Sequence, residues 1–247
     1  MEIEKDQHFL INMKAIKRMI SELEVKEGDK ILEIGPGTGN ITHELVKLGF
    51  PVLAFELDLR FKPFLEELKK EHPNLSIVFG NALEHSWKGC NKLIGNIPFS
   101  ATEALIQKSI RERISLLSLL VSDGLKKTLS GENKLGLLSN LFFSMKTVQE
   151  VEPESLSPEP KTGCWLIQLK RKEPKNKVEE ILRNVLTKNG NTRNAIIYSL
   201  MKDKKIKNKA REILEKMNFH KETLDKPIKK ATPEFIIRLR IELLKLK

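Results

Sequence analysis

The spacing of apolar residues changes repeatedly along the chain, and the changes mark out its elements. Ile31, Leu32 and Ile34 form a short apolar run that stops at three glycines, Gly35, Gly37 and Gly39. Behind them Ile41, Leu45, Val46 and Leu48 recur at helical spacing, so the stretch predicts a buried strand, a tight turn and a helix. Further strand-like runs follow at Val52 to Phe55, Leu75 to Phe79, Leu93-Ile94, Ser115 to Val121, Phe142 to Val151 and Trp165 to Leu169. Helical spacing precedes them, through Ile16, Met19, Ile20 and Leu23, and fills intervals between them, through Phe64, Leu65 and Leu68 and from Thr102 to Ile110. Strands alternating with helices predict an α/β fold around a parallel sheet with helices on both faces.

From Glu173 onward the strand pattern is gone. Val178, Ile181, Leu182, Val185 and Leu186 predict one helix, Asn189-Gly190-Asn191 breaks it, and further helices are expected over Thr192 to Met201, Lys207 to Met217 and Pro233 to Leu246. The prolines at 153, 158 and 160 read as a rigid connection ahead of the last strand. The chain therefore divides into residues 1–172, a Rossmann-like domain, and residues 173–247, a small all-helical one.

Charge sharpens this division. Of the 247 residues, 44 are Lys or Arg and 33 are Asp or Glu, for a net charge of +11. Residues 1–172 hold 24 basic and 23 acidic side chains, and residues 173–247 hold 20 and 10. A near-neutral domain followed by a basic one points to a polyanionic partner, with nucleic acid foremost. The cysteines, Cys90 and Cys164, lie far apart, which fits a reducing compartment and offers no zinc site. The acidic start MEIEKDQ lacks the apolar segment of a signal peptide, and no apolar run is long enough to cross a membrane. A cytoplasmic protein is expected.

The candidate chemistry lies at the strand ends. A glycine turn between strand and helix sits where open α/β sheets bind ligands. Glu56 ends the second strand of the sheet, 17 residues after Gly39, where an acid can take the ribose hydroxyls of an adenosine cofactor. Position 40 is Asn rather than Gly, so the dinucleotide fingerprint is incomplete. Asn81 ends the next strand; taken singly it is a turn residue, and taken with the other strand ends it completes an adenosine-shaped pocket. Asn96-Ile97-Pro98-Phe99 follows the fourth strand. An asparagine oxygen and the neighbouring backbone carbonyl supply two acceptors for one planar NH₂ group, the proline fixes the turn, and the ring of Phe99 can stack on a base. Methylation of an exocyclic amine needs such an arrangement, because positioning the nitrogen in line with the methyl donor does much of the work.

With these motifs in order, the chain resembles the ribosomal RNA adenine N6-methyltransferases. These are the KsgA-type dimethyladenosine transferases of the small subunit and the erythromycin-resistance methyltransferases of the large subunit. The resemblance rests on Gln7-His8-Phe9-Leu10, Glu33 to Gly39, Glu56-Leu57-Asp58, Gly80-Asn81-Ala82, Gly95 to Phe99, Pro158 to Lys161 and Arg193-Asn194-Ala195. It implies a seven-stranded class I methyltransferase sheet with its last strand antiparallel, and S-adenosylmethionine as cofactor. It further implies that His8 and Leu10 border the cofactor, that Gly35 passes its backbone along the methionine part, and that Gly37 and Gly39 also bind the cofactor. Glu56 would hold the ribose, Asn81 the adenine, and Asn96 would stand between cofactor and target base, with Pro98 and Phe99 completing the catalytic motif. The chain departs from the family at His8 for asparagine, Asn81 for aspartate and Phe99 for tyrosine.

The expected activity is N6-methylation of adenine in ribosomal RNA, once or twice per base, with the small-subunit RNA preferred as substrate. The alternatives are a large-subunit enzyme of the resistance type, an RNA-binding assembly factor that has kept the fold but not the catalysis, and an enzyme acting on a protein side-chain amide. No metal is expected, and a monomer is the default.

Overall fold

A computed structural model describes residues 8–87, 89–96, 99–201 and 207–246, with only the backbone of Phe99 and Ser100. The chain forms two compact units. The first runs to Ser130 and resumes over Phe143–Arg171; the second comprises Gly131–Phe142 and Lys172–Lys247.

The first unit is built on a seven-stranded sheet. Its strands are β2 (Ile31–Ile34), β3 (Val52–Glu56), β4 (Leu75–Phe79), β5 (Lys92–Asn96), β6 (Leu116–Ser122), β7 (Phe143–Val151) and β9 (Cys164–Arg171), in the order β4-β3-β2-β5-β6-β9-β7. The five strands from β4 to β6 are parallel, and β9 runs antiparallel between β6 and β7. The expected α/β sheet with an antiparallel last strand is therefore present. Its central strands are apolar and buried on both faces, as parallel strands covered by helices must be. Helices α1 (Met13–Ser21), α2 (Asn40–Val46), α3 (Lys62–Glu71), α4 (Phe99–Arg111) and α5 (Asp123–Ser130) complete the unit. Asn12 starts α1 by accepting from the backbone N–H groups of Lys14 and Ala15, which turns Ala15, Ile16, Met19 and Ile20 into the core. Cys90 and Cys164 are buried and unpaired.

A second, two-stranded sheet pairs β1 (Phe9–Leu10) antiparallel with β8 (Leu156–Ser157). The backbone N–H of Ile11 donates to Ser155 O at 2.8 Å, and His8 Nδ1 lies 2.7 Å from Pro158 O. This small sheet ties the N-terminal motif to the proline-rich connection.

The second unit contains α6 (Lys134–Phe142), α7 (Lys177–Thr187), α8 (Thr192–Leu200), α9 (Lys207–Lys216), α10 (Lys221–Asp225) and α11 (Pro233–Leu244). Its core gathers Leu182, Val185, Ile196, Leu214, Phe235 and Leu239. The sequence reading left residues 131–142 inside the first domain. Arg183 explains their place in the second: its guanidinium is buried, donates twice to Leu141 O (2.6 and 3.0 Å) and once to Lys172 O (2.8 Å), and lies over the Phe142 ring. Helices α5, α6 and α10 were not anticipated.

Candidate active site

The carboxyl ends of β4, β3, β2 and β5 lie side by side, so residues far apart in sequence meet along one edge. Register pairs Ile34 with Phe55 and with Gly95, and Glu56 with Phe79. The chain leaves β2 towards β3 on one side and later returns to β5 on the other. That reversal opens a crevice between β2 and β5 at their carboxyl ends.

Gly35, Gly37 and Gly39 all take positive φ, at +69°, +55° and +83°. At Gly37 a side chain is excluded twice over, because a Cβ there would lie 2.5 Å from the Phe9 ring. Among the described residues a Cβ on Gly35 would meet nothing within 4 Å, so bare backbone stands at the head of the turn. Gly39 then starts α2.

Glu56 is buried, and both its oxygens are engaged by backbone. Oε2 accepts from Gly37 N and Oε1 from Asp58 N, each at 2.8 Å. Burial raises its pKa, and these two donors act against the shift. The carboxylate thus braces the glycine turn from the neighbouring strand. Each oxygen keeps a further lone pair for a ligand hydroxyl.

Asn81 follows β4, where Gly80 N donates to Glu56 O at 2.7 Å. Its side chain works within its own loop: Oδ1 accepts from Leu83 N and Nδ2 donates to Glu84 Oε1, both at 3.0 Å. Asn96 ends β5, and its Nδ2 donates to His8 O at 2.5 Å. Leu10 is buried in the core through its side chain, while its carbonyl accepts from Asn40 Nδ2 at 3.0 Å. The structure therefore brings His8, the glycine turn, Glu56, Asn81 and Asn96 to one edge of the first unit. Pro98 lies outside the described residues, and Phe99 is described only as the first backbone residue of α4.

Glu33, in the middle of β2, has no role in the sequence beyond its place in the Glu33 to Gly39 motif. It is fully buried, and among the described residues neither of its oxygens has a hydrogen-bond partner. The Thr42 hydroxyl nearby is likewise buried and unpartnered. Burial above all pushes the Glu33 pKa up to about 8; the nearby Thr42 hydroxyl, close without completing a hydrogen bond, opposes the rise, and the charge of Glu56 adds to it. The available signal was an acid inside an otherwise apolar strand. A cleft lined by Ile11, Met13, Thr38, Asn40 and Phe64 borders the same turn but includes none of Glu56, Asn81 or Asn96. Among the described residues no group of three His, Cys, Asp or Glu side chains is placed to hold a metal, and no helix is long and apolar enough to cross a membrane.

The strand order, the antiparallel last strand and the glycine turn braced by an acid from the next strand define a class I methyltransferase fold. Two solved structures share it across nearly the whole chain. One is a dimethyladenosine transferase from Plasmodium falciparum (TM-score 0.63, 21% identity, covering 96% of this chain and 98% of that one). The other is the 23S rRNA methyltransferase ErmE (TM-score 0.62, 21% identity, 95% and 99%). At that identity the likeness speaks to the fold. Sequence goes further: the family model for ribosomal RNA adenine dimethylases matches residues 2–234. A probable ribosomal RNA small subunit methyltransferase A of Methanococcus maripaludis is 30% identical over 93% of both chains. The chain belongs to the ribosomal RNA adenine dimethylase family, and by that membership it is an rRNA adenine methyltransferase.

Proposed function

We propose that the chain dimethylates adenine N6 in small-subunit ribosomal RNA, with S-adenosylmethionine as methyl donor and Asn96 at the point of transfer. The observation that carries this reading is the meeting of Glu56, the glycine turn, the Gly80-Asn81 corner and Asn96 at one sheet edge. The small-subunit choice follows the Methanococcus relative's name.

The site suits such a cofactor. Open space beside Gly35 gives room for a ligand against bare backbone. Glu56 has spare acceptor capacity for a ribose diol. The orphaned carboxyl of Glu33, two residues before Gly35, is the kind of group that an amino acid ammonium would relieve. When bound, the cofactor supplies an electrophilic methyl group on a sulfonium. The chain's own residues do the rest. Asn96 donates from Nδ2 to His8 O, and its oxygen, the amide's acceptor, is the atom assigned to the target amine. The sequence provides a stacking ring at Phe99. Held in this way, the adenine nitrogen is oriented for in-line attack, and no strong base is needed before it. His8 stands in for an asparagine but acts here through its backbone carbonyl, so that substitution is compatible with activity.

The second unit is the RNA-binding part of this reading. Its surface exposes Lys188, Lys207, Lys209, Arg211, Lys216, Lys221, Lys226, Lys229 and Lys230. Arg211, Lys221 and the ion-paired Arg193 line one open cleft. The protein acts as a monomer in the cytoplasm.

Calorimetry with S-adenosylhomocysteine tests the cofactor assignment. Binding by the wild type, weakened about tenfold or more in Glu56→Ala, is the expected outcome. Absence of binding by the wild type would refute it.

A further inference from the structure

We propose that Lys108 is a positioning residue, which holds the loop at the cofactor's adenine end in register with the helix that follows the target-base motif. Lys108 lies on α4, which begins at Phe99, directly after Asn96-Ile97-Pro98. It is buried, at 7% exposure. Its ammonium donates to three backbone carbonyls of one loop: Ala82 O at 2.9 Å, Leu83 O at 3.0 Å, and His85 O. An ammonium has three protons, so all are used. Trp87, itself buried, closes the same loop. Its Nε1 donates to Ala82 O at 2.8 Å, and its ring lies 4.9 Å beneath the ammonium. His85 stacks on Phe55 of β3, and a Cβ on Gly80 would lie 2.8 Å from the His85 ring. The loop therefore starts at Asn81 and is wrapped around a cation that belongs to α4.

Three carbonyls converging on one point repel each other unless a cation fills it. Lys108 supplies that cation and so decides where the Asn81-Ala82 corner stands relative to α4. The inference rests on the reading above, in which that corner receives adenine. It goes further by assigning the corner's geometry to a residue that touches neither cofactor nor target.

The test is a double-mutant cycle on the full chain. S-adenosylhomocysteine affinity and the KM and kcat for S-adenosylmethionine are measured for wild type, Lys108→Met, Asn81→Ala and the pair, well below each variant's unfolding temperature. Lys108→Met is expected to raise Kd and KM about tenfold. At saturating cofactor, kcat should stay within about threefold of wild type. In the Asn81→Ala background, Lys108→Met should add less than about twofold, because the two act through one corner. Trp87→Phe removes the second donor to Ala82 O while keeping an aromatic in place. It should raise KM in the same direction, which keeps the test open if Lys108→Met does not fold. An unchanged KM in both single variants would overturn the proposal, as would additive losses in the cycle or a fall in kcat alone. Failure of the wild type to bind S-adenosylhomocysteine would instead overturn the cofactor reading beneath it.

Discussion

The side-chain amide of Asn96 donates to the backbone carbonyl of His8, 88 residues earlier in the chain. The bond fixes which end of the amide faces the N-terminal segment, and on the proposed reading it turns the oxygen towards the incoming amine. That segment is itself held by the β1–β8 pair and by Phe9 packed on Gly37 and edge-on to Phe61. The amide's orientation therefore depends on three separate stretches of chain.

Asn96→Ala should abolish methyl transfer, with a loss of at least about 10²-fold in kcat. Asn96 is half-buried at a strand end, so its loss should cost about 1 kcal/mol of stability or less. Activity and thermal unfolding measured on the same preparation check both halves. A folded variant with wild-type turnover would remove Asn96 from the site.

Much of this site was legible in the sequence, because the glycine turn, Glu56 and the Asn96 motif each end an apolar run that reads as a strand. What the sequence could not show was how their side chains are spent. Glu56 braces Gly37, which follows from register between β2 and β3, and Asn81 is bonded within its own loop. Glu33 was legible only as part of the glycine-turn motif, because its burial depends on helices covering both faces of a four-residue strand. The place of residues 131–142 in the second unit was not legible because Arg183, which bonds to Leu141, lies 42 positions away.

Glu33 should give the protein a stability that declines as pH rises. Its carboxyl titrates near pH 8 in the folded chain, against an ordinary value of 4.5. Below 4.5 both states hold the proton. Between the two values only the folded state does, so stability falls through that window and levels off above it. Glu33→Gln should flatten this slope, and denaturant midpoints at about pH 5, 7 and 9 would show it. An equally steep decline in the variant would mean that Glu33 is not the group responsible.

Cofactor affinity should depend on pH through Glu56. Its pKa is raised, chiefly by burial, whereas ribose hydroxyls donate to the ionised form. S-adenosylhomocysteine should bind more weakly as pH falls through that raised value, and Glu56→Gln should bind weakly at every pH. Calorimetry across the acid range measures this directly; a wild-type Kd independent of pH would contradict it.

RNA affinity should fall log-linearly with salt, because the grip is assigned to exposed cations of the second unit. In the full chain, Arg211→Glu with Lys221→Glu should reduce the magnitude of that slope by about 1.4–1.8, if each cation pairs with one phosphate. S-adenosylhomocysteine affinity should not change. Filter binding over a salt series reads the slope, and an unaltered slope would move the RNA contact elsewhere.

The most direct measurement is to incubate the wild-type protein and S-adenosylmethionine with small-subunit and large-subunit particles lacking the modification, then map the RNA of each by primer extension. Dimethyladenosine blocks Watson–Crick pairing and stops the polymerase. New stops are expected at adenines of the small-subunit RNA, none in the large-subunit RNA, and none in either with Asn96→Ala. Stops confined to the large-subunit RNA, or stops that persist with Asn96→Ala, would contradict the proposed function.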